Sequence, residues 1–429
     1  MANSLKVAVI GAGVSGLTTA RELQREAQQV VVFEKSHRLG GTWVYDPQVE
    51  SDPIGLDPNR DIVHGSLYKS LTTISPRQLM SFADFKFDEK AYGDPRLFPG
   101  HEEVLKYLED FAIHFELNEL IRFNTVVIRV EVVDSNAIKF EVESKTDGVN
   151  LVEVFDAVVI CNGNNSQPYM PNDIQGIETW PKKQIHSHNY RVPEQFRDQV
   201  VVITGCGPSG VDLSGELATV AKEVHISSRA PRLQVENLEK YSNLWQHDEI
   251  DCVNEDVIVI FKDGFSIEAD IIFHCTGYKY HVPFLETNGI NVSIQDKRIG
   301  PLYKHVFPPK LAPSLSFVGI PRRSLFFLLI EGQARWIAKV LSRKVSLPSE
   351  YEMLSEVEQY YREMEEKGIP EHRAHSIDFK IDYIEWLYAQ SGMVVDKKLQ
   401  EMFEYQLHCI MTDLYGHKDA FSKKYGISL

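Results

Sequence analysis

The chain twice repeats one alternation of apolar and glycine-rich segments. Val7–Ile10 is a short apolar run followed by Gly11-Ala12-Gly13-Val14-Ser15-Gly16, a helical stretch, and a second apolar run, Val30–Phe33, ending at Glu34. The pattern returns at Val200–Thr204, which leads into Gly205-Cys206-Gly207-Pro208-Ser209-Gly210, another helical stretch, and Val224–Ile226 running through Ser227 and Ser228 to Arg229. Short apolar runs bounded by glycine predict buried strands, and a helix between two of them predicts a βαβ unit with parallel strands. Glycines at these places allow a tight turn, approach of a pyrophosphate to backbone N–H groups, and close helix–strand contact.

Elsewhere the pattern is less regular but readable. Arg122–Glu143 is rich in alternating β-branched residues and predicts antiparallel strands. Asp156–Ile160 predicts a strand returning to the first sheet, and Asp270–His274, ending in Cys275-Thr276-Gly277-Tyr278, predicts its counterpart in the second. Gln167–Pro171 reads as a crossing between the two units. Leu315–Gly319 predicts a further strand and Glu331–Leu341 the helix after it; from Ser349 the chain is helical and charged, with an amphipathic stretch at Lys397–Leu414. The expected fold is α/β, with two Rossmann-like dinucleotide-binding domains and a helical C-terminal extension. The first domain is expected to be discontinuous (1–168 and 310–429), with the second (169–309) inserted.

The two βαβ units differ in charge where they end. Glu34 follows Gly11 by 23 residues and Arg229 follows Gly205 by 24, which reads the two as corresponding positions. An acid there accepts hydrogen bonds from a free ribose 2′-hydroxyl, as in FAD or NAD, whereas an arginine suits the 2′-phosphate of NADP. The pattern predicts one dinucleotide of each kind.

Composition narrows the remaining choices. The 429 residues suffice for two domains, and 43% hydrophobic with 25% charged residues is ordinary for a soluble globular protein. A net charge of −16 argues against a general nucleic-acid or anionic-membrane binder. The five cysteines, Cys161, Cys206, Cys252, Cys275 and Cys409, form no C-x-x-C pair, which fits a reducing, cytoplasmic setting and argues against a zinc site or a dithiol reductase. His186, His188 and His225 lack ligand spacing, so no metal is expected. The apolar start leads straight into the glycine turn rather than reading as a signal peptide, Leu325–Ile330 is too short to span a bilayer, and Phe421–Leu429 is polar.

Several motifs make the likeness specific. Glu34-Lys35-Ser36-His37-Arg38-Leu39-Gly40-Gly41-Thr42-Trp43, Phe98–Leu108, Cys275–Tyr278 and Glu331-Gly332-Gln333-Ala334-Arg335-Trp336 together resemble the flavin-containing monooxygenases, especially the plant branch that includes glucosinolate S-oxygenases. The family-identifying pattern resembles Trp180–Tyr190, with His186 in place and Lys182 where the family has glycine; a packed linking segment is the favoured reading of His186 and Tyr190. The resemblance implies FAD against Gly11, Ala12, Gly13, Val14, Ser15, Gly16, Glu34, Lys35, Gly41, Thr42, Trp43, Val127 and Gln333. It implies NADPH against Gly205, Cys206, Gly207, Pro208, Ser209, Gly210, Ser227, Ser228 and Arg229. The activity implied is oxygenation of a small soft nucleophile, sulfur ahead of amine nitrogen, through a C4a-hydroperoxyflavin formed with O2.

The chain departs from that family beside the expected flavin ring. Tyr68–Arg77 resembles a segment that carries asparagine where this chain has Ile74, and a branched alkane offers no hydrogen bond. Asn164 and Asn165 replace a histidine and an aromatic residue. Thr73, Ser75 or the asparagine pair is expected to restore the polar contact in part, the alternative being drift that leaves a leakier enzyme; Thr73 and Ile74, the latter in place of the family asparagine, are the candidate catalytic positions. The rival readings are an uncoupled NADPH oxidase releasing hydrogen peroxide and a catalytically silent dinucleotide-binding protein.

Overall fold

The computed structural model describes residues 4–134, 138–229, 241–286 and 292–426. Residues 135–137 of the predicted antiparallel region and 427–429 of the polar C-terminal stretch lie outside them.

Two five-stranded parallel sheets organise the molecule. In the first, the strand order is Leu315–Phe317, Ala157–Ile160, Lys6–Ile10, Gln29–Phe33, Ile121–Arg122. In the second it is Leu244–His247, Glu223–Ser227, Val200–Thr204, Ile271–His274, Lys183–His186. Their central strands are apolar and buried on both faces, as covered parallel strands must be. Each unit also carries an antiparallel three-stranded meander: Thr125–Asp134, Lys139–Thr146 and Val149–Phe155 in the first, and Ile250–Val253, Ile258–Phe261 and Ser266–Glu268 in the second. The molecule is therefore α/β, built on two dinucleotide-binding units of one plan.

Helices cover the sheets. Helix α1 (Val14–Arg25) leaves the first glycine turn, α2 (His101–His114) packs nearby, and α3 (Pro208–Leu217) leaves the second turn. Helix α4 (Phe326–Leu341) lies against α1 and begins five residues earlier than the sequence pattern predicts. The reason is burial: Phe327, Leu328, Leu329 and Ile330 are covered in the core, so the short apolar run is the first turn of this helix. The extension follows as α5 (Glu350–Glu366), opened by a Ser349–Glu352 capping box, then α6 (Asp382–Gln390), α7 (Lys397–Thr412) and α8 (His417–Tyr425). Trp336 on α4 is buried against Phe307 and Trp386, which locks the extension to the first unit. Among the described residues no helix is long and apolar enough to cross a membrane.

Candidate active site

The two glycine turns open onto one cavity of about 1820 Å³. That exceeds the ~300–1,000 Å³ of a typical small-ligand pocket, and suits two extended dinucleotides meeting end to end. Gly11, Gly13, Val14 and Ser15 line it from the first unit; Gly205, Cys206, Gly207, Pro208 and Ser209 line it from the second. The N-termini of α1 and α3 thus face the same space, each with free backbone N–H groups and the positive end of a helix dipole.

The turns have the geometry a phosphate cradle needs. Gly11 has φ +105°, and a Cβ added there would stand 2.5 Å from the Cys161 carbonyl oxygen. Gly205 repeats this at φ +99°, 2.7 Å from the Cys275 carbonyl oxygen. Only glycine avoids both the strain and the clash. At Gly207 an added Cβ would meet no protein atom within 4 Å, so that backbone is open to a ligand.

Glu34 is buried at the cavity wall. Its Oε2 accepts from the Ala12 N–H at 2.7 Å, and its Oε1 from the N–H and Oγ of Ser36 at 2.9 and 2.7 Å. Three donors use three of the roughly four acceptor sites of a carboxylate, leaving one for a ribose hydroxyl. The carboxylate also braces the turn it faces. Beside it, burial brings the Lys35 ammonium down to about 8. Gly41, Thr42 and Val127 complete this wall.

The parallel ladders correct the reading of Arg229 as the counterpart of Glu34. The Gly11 N–H donates to the Phe33 carbonyl, and the Gly205 N–H donates to the Ser227 carbonyl. Ser228 therefore stands where Glu34 stands, and Arg229 matches Lys35. Arg229 still lines the cavity with Ser227 and Ser228, and it is paired with Asp173 and Glu249.

Several predicted residues are present but turned away from the cavity. Ala12, Gly16 and Gly210 lie inside the turns, and Trp43 packs on the core while its neighbours Thr42 and Val44 reach the wall. Gln333 is fully buried behind the wall. Its Oε1 accepts from the Gly319 N–H at 2.9 Å and its Nε2 donates to Tyr383 Oη at 3.1 Å. Both ends of the amide are used by the chain, so Gln333 acts by fixing Gly319, which does line the cavity. Thr73 is likewise buried, its N–H donating to the Pro99 carbonyl at 2.9 Å. Ile74 is on the wall and 46% exposed. Of the proposed polar substitutes, Asn164 and Asn165 reach the cavity, and Asn164 Nδ2 donates to the Gly319 carbonyl at 2.6 Å.

His186 is buried with both ring nitrogens engaged, Nε2 at 3.0 Å from the Gly277 oxygen and Nδ1 accepting from the His188 N–H. Burial drives its pKa to about 3, so the ring is neutral. Tyr190 packs among Tyr68, Phe196 and Phe273. Both rings are buried, and neither His186 nor Tyr190 lines the cavity. Cys161 is a buried thiol whose pKa burial pushes up to about 12, which makes it inert. The described residues hold no group of three or more His, Cys, Asp or Glu arranged to bind a metal.

Sequence reasoning missed Glu249, Lys262 and Asp173. All three line the second end of the cavity, and they belong to no glycine motif. No local pattern marks them, because a turn, a hairpin and the interdomain crossing bring them together.

A family model described as flavin-binding monooxygenase-like matches residues 4–246 and 246–416. The chain belongs to the flavin-containing monooxygenase family. It is 48% identical over 421 residues to flavin-containing monooxygenase FMO GS-OX-like 7 of Arabidopsis thaliana, covering 96% of this chain and 90% of that one. It is 50% identical over 397 residues to FMO GS-OX5 of the same plant, covering 91% and 85%. In structure it resembles the S-allyl-L-cysteine S-oxygenase of Allium sativum, with a TM-score of 0.93 and 47% identity over 97% of this chain and 95% of that one. This flavin-containing monooxygenase is thus an enzyme whose cofactors are FAD and NADPH, and the cradles described above fit both.

Proposed function

We propose that this monooxygenase uses NADPH and O2 to oxygenate a small soft nucleophile, a thioether ahead of an amine. The observation that carries the reading is the single cavity onto which both glycine turns open. The likeness to the S-allyl-L-cysteine S-oxygenase supports sulfur as the acceptor. The domains are assigned as 1–168 with 310–429 for FAD and 169–309 for NADPH; the Leu315–Phe317 strand in the first sheet supports the return of the chain to the first unit. Tyr280, Val282, Leu302, Tyr303 and Phe307 already pack in that unit's core, so the return begins ahead of residue 310. Free thiols at all five cysteines support a cytosolic setting.

The residues divide the work. The Gly11–Gly16 turn and the α1 N-terminus hold the FAD diphosphate, and Glu34 takes a ribose hydroxyl at its remaining acceptor site. The Gly205–Gly210 turn and the α3 N-terminus hold the NADPH diphosphate, while Arg229, with Ser227 and Ser228, meets the 2′-phosphate. Held there, FAD would supply the redox chemistry that links NADPH oxidation to O2 activation, with one oxygen atom destined for the substrate and the other for water. Asn164, tied to Gly319, offers its amide to the ring end of the cavity. Ile74 excludes water there without offering a hydrogen bond.

The exposed Ile74 surface supports one rival, an oxidase that releases peroxide in place of product. Turnover under ¹⁸O2 with a thioether panel that includes S-allyl-L-cysteine separates the two. Expected is one labelled oxygen per sulfoxide, with product accounting for most of the NADPH consumed. NADPH consumption matched by peroxide, with no labelled sulfoxide from any thioether, establishes the oxidase instead.

A further inference from the structure

At the second end of the cavity four charged side chains form a continuous chain. Arg229 Nη2 donates to Asp173 Oδ2, and Arg229 Nε lies 2.6 Å from Glu249 Oε1. The other oxygen of Glu249, Oε2, accepts from Lys262 Nζ at 2.7 Å. The backbone fixes the pairing, because the Lys262 N–H donates to the Glu249 carbonyl at 2.8 Å. All four side chains line the cavity, together with Asp251. One carboxylate is thus held between two cations, one oxygen to each.

That arrangement is the one a phosphate monoester would take between the same two cations. It is also the arrangement that meets a free ribose 2′-hydroxyl, since a carboxylate accepts such a donor. As folded, the group of three acids and two bases carries a net negative charge, which does not favour a dianion. The pairs are solvent-accessible, with side-chain exposures of 68% for Arg229, 31% for Glu249 and 54% for Lys262. Ion pairs this exposed contribute little and are readily exchanged. A phosphate brings a charge of about −1.5 to −2 and three acceptor oxygens, so it can replace the carboxylate.

We propose that Glu249 makes this a two-way site. Where it stands, Glu249 accepts the adenosine 2′-hydroxyl of NADH; swung aside, it leaves Arg229 and Lys262 to clasp the 2′-phosphate of NADPH. The inference rests on the reading that Arg229 meets that phosphate, and adds to it a second phosphate ligand, Lys262, and a use for NADH. Asp173 and Asp251 stay near the phosphate and temper the preference, so discrimination between the two dinucleotides depends on Glu249 and weakens with salt.

The test is equilibrium titration of the FAD-loaded enzyme with NADP⁺ and, separately, NAD⁺, read by fluorescence without turnover. Both dinucleotides are expected to bind the natural protein. Glu249→Gln, nearly isosteric and solvent-accessible, should tighten NADP⁺ and weaken NAD⁺, each by about tenfold. Lys262→Met should weaken NADP⁺ by about tenfold and leave NAD⁺ within about twofold. No measurable NAD⁺ binding to the natural protein, or a Glu249→Gln variant that moves both affinities together or neither, overturns the two-way site. Arg229→Ala separates the two levels of the argument. If it weakens NADP⁺ while Glu249→Gln is silent, only the two-way site fails; if it leaves NADP⁺ untouched, the assignment of the phosphate to this end fails as well.

Discussion

Ile74 and Gln333 show how far a side chain's role depends on what surrounds it. Ile74 reaches the cavity with an aliphatic surface where its resemblance to the family leads one to expect an amide. Its main-chain carbonyl is held by Gln406 Nε2 at 2.5 Å, so the position is fixed although its side chain donates nothing. Restoring a donor with Ile74→Asn should lower the peroxide released per NADPH consumed by at least about twofold, because the amide can hold a polar group that Ile74 cannot. A peroxide assay beside NADPH absorbance checks this, and an unchanged peroxide share removes Ile74 as the cause of any leak. Gln333 is the opposite case. It was legible as a motif residue, but the sequence could not reveal that both ends of its amide are spent on Gly319 and Tyr383.

At the scale of elements, α7 joins the extension to the site. Gln406 reaches from it to Ile74, and Phe403 lies against Phe379, whose ring is on the cavity wall. Removing the Gln406 amide leaves a partly buried carbonyl without its donor. Gln406→Ala is expected to cost about 1–2 kcal/mol of unfolding free energy in a urea titration and to raise the peroxide share. Loss of stability with coupling unchanged would make α7 only a support for the fold. The ladders carry another lesson. The 23- and 24-residue spacings suggested that Glu34 and Arg229 correspond, yet the register makes Ser228 the equivalent of Glu34. The two units have equal length from glycine turn to strand end, Gly11 to Phe33 and Gly205 to Ser227. The extra residue in the 24-residue spacing only means that Arg229 lies one position further along, which strand pairing reveals.

Across the whole molecule, the two units are tied by buried polar groups as well as by apolar packing. Tyr415, just after α7, bonds Ser214 on α3 at 2.9 Å, so the extension touches the second unit too. In the second sheet His186 and His274 are buried on adjacent strands, and burial lowers their pKa values to about 3 and about 4. The unfolded chain binds these protons near pH 6.5, so stability is full above that pH and falls as pH drops toward the folded values. Between pH 8 and 5.5 these two rings together should cost about 3 kcal/mol, and His274→Asn should remove about half of that share. The rest of the slope comes from other buried histidines such as His64, His305 and His375, whose pKa values burial also lowers. Denaturant midpoints across this range check the sign; a protein that grows more stable on acidification refutes it.

The sequence by itself determined the repeated strand–turn–helix–strand plan and the glycine turns, and with them the expectation of two dinucleotides. Those features are local: apolar period and glycine backbone freedom. Tertiary structure decided which predicted residues face the cavity, which stand behind it, and that Arg229 is already engaged by Asp173 and Glu249. Those facts depend on strand register and on segments far apart in the chain, and no local pattern encodes a contact that folding alone creates.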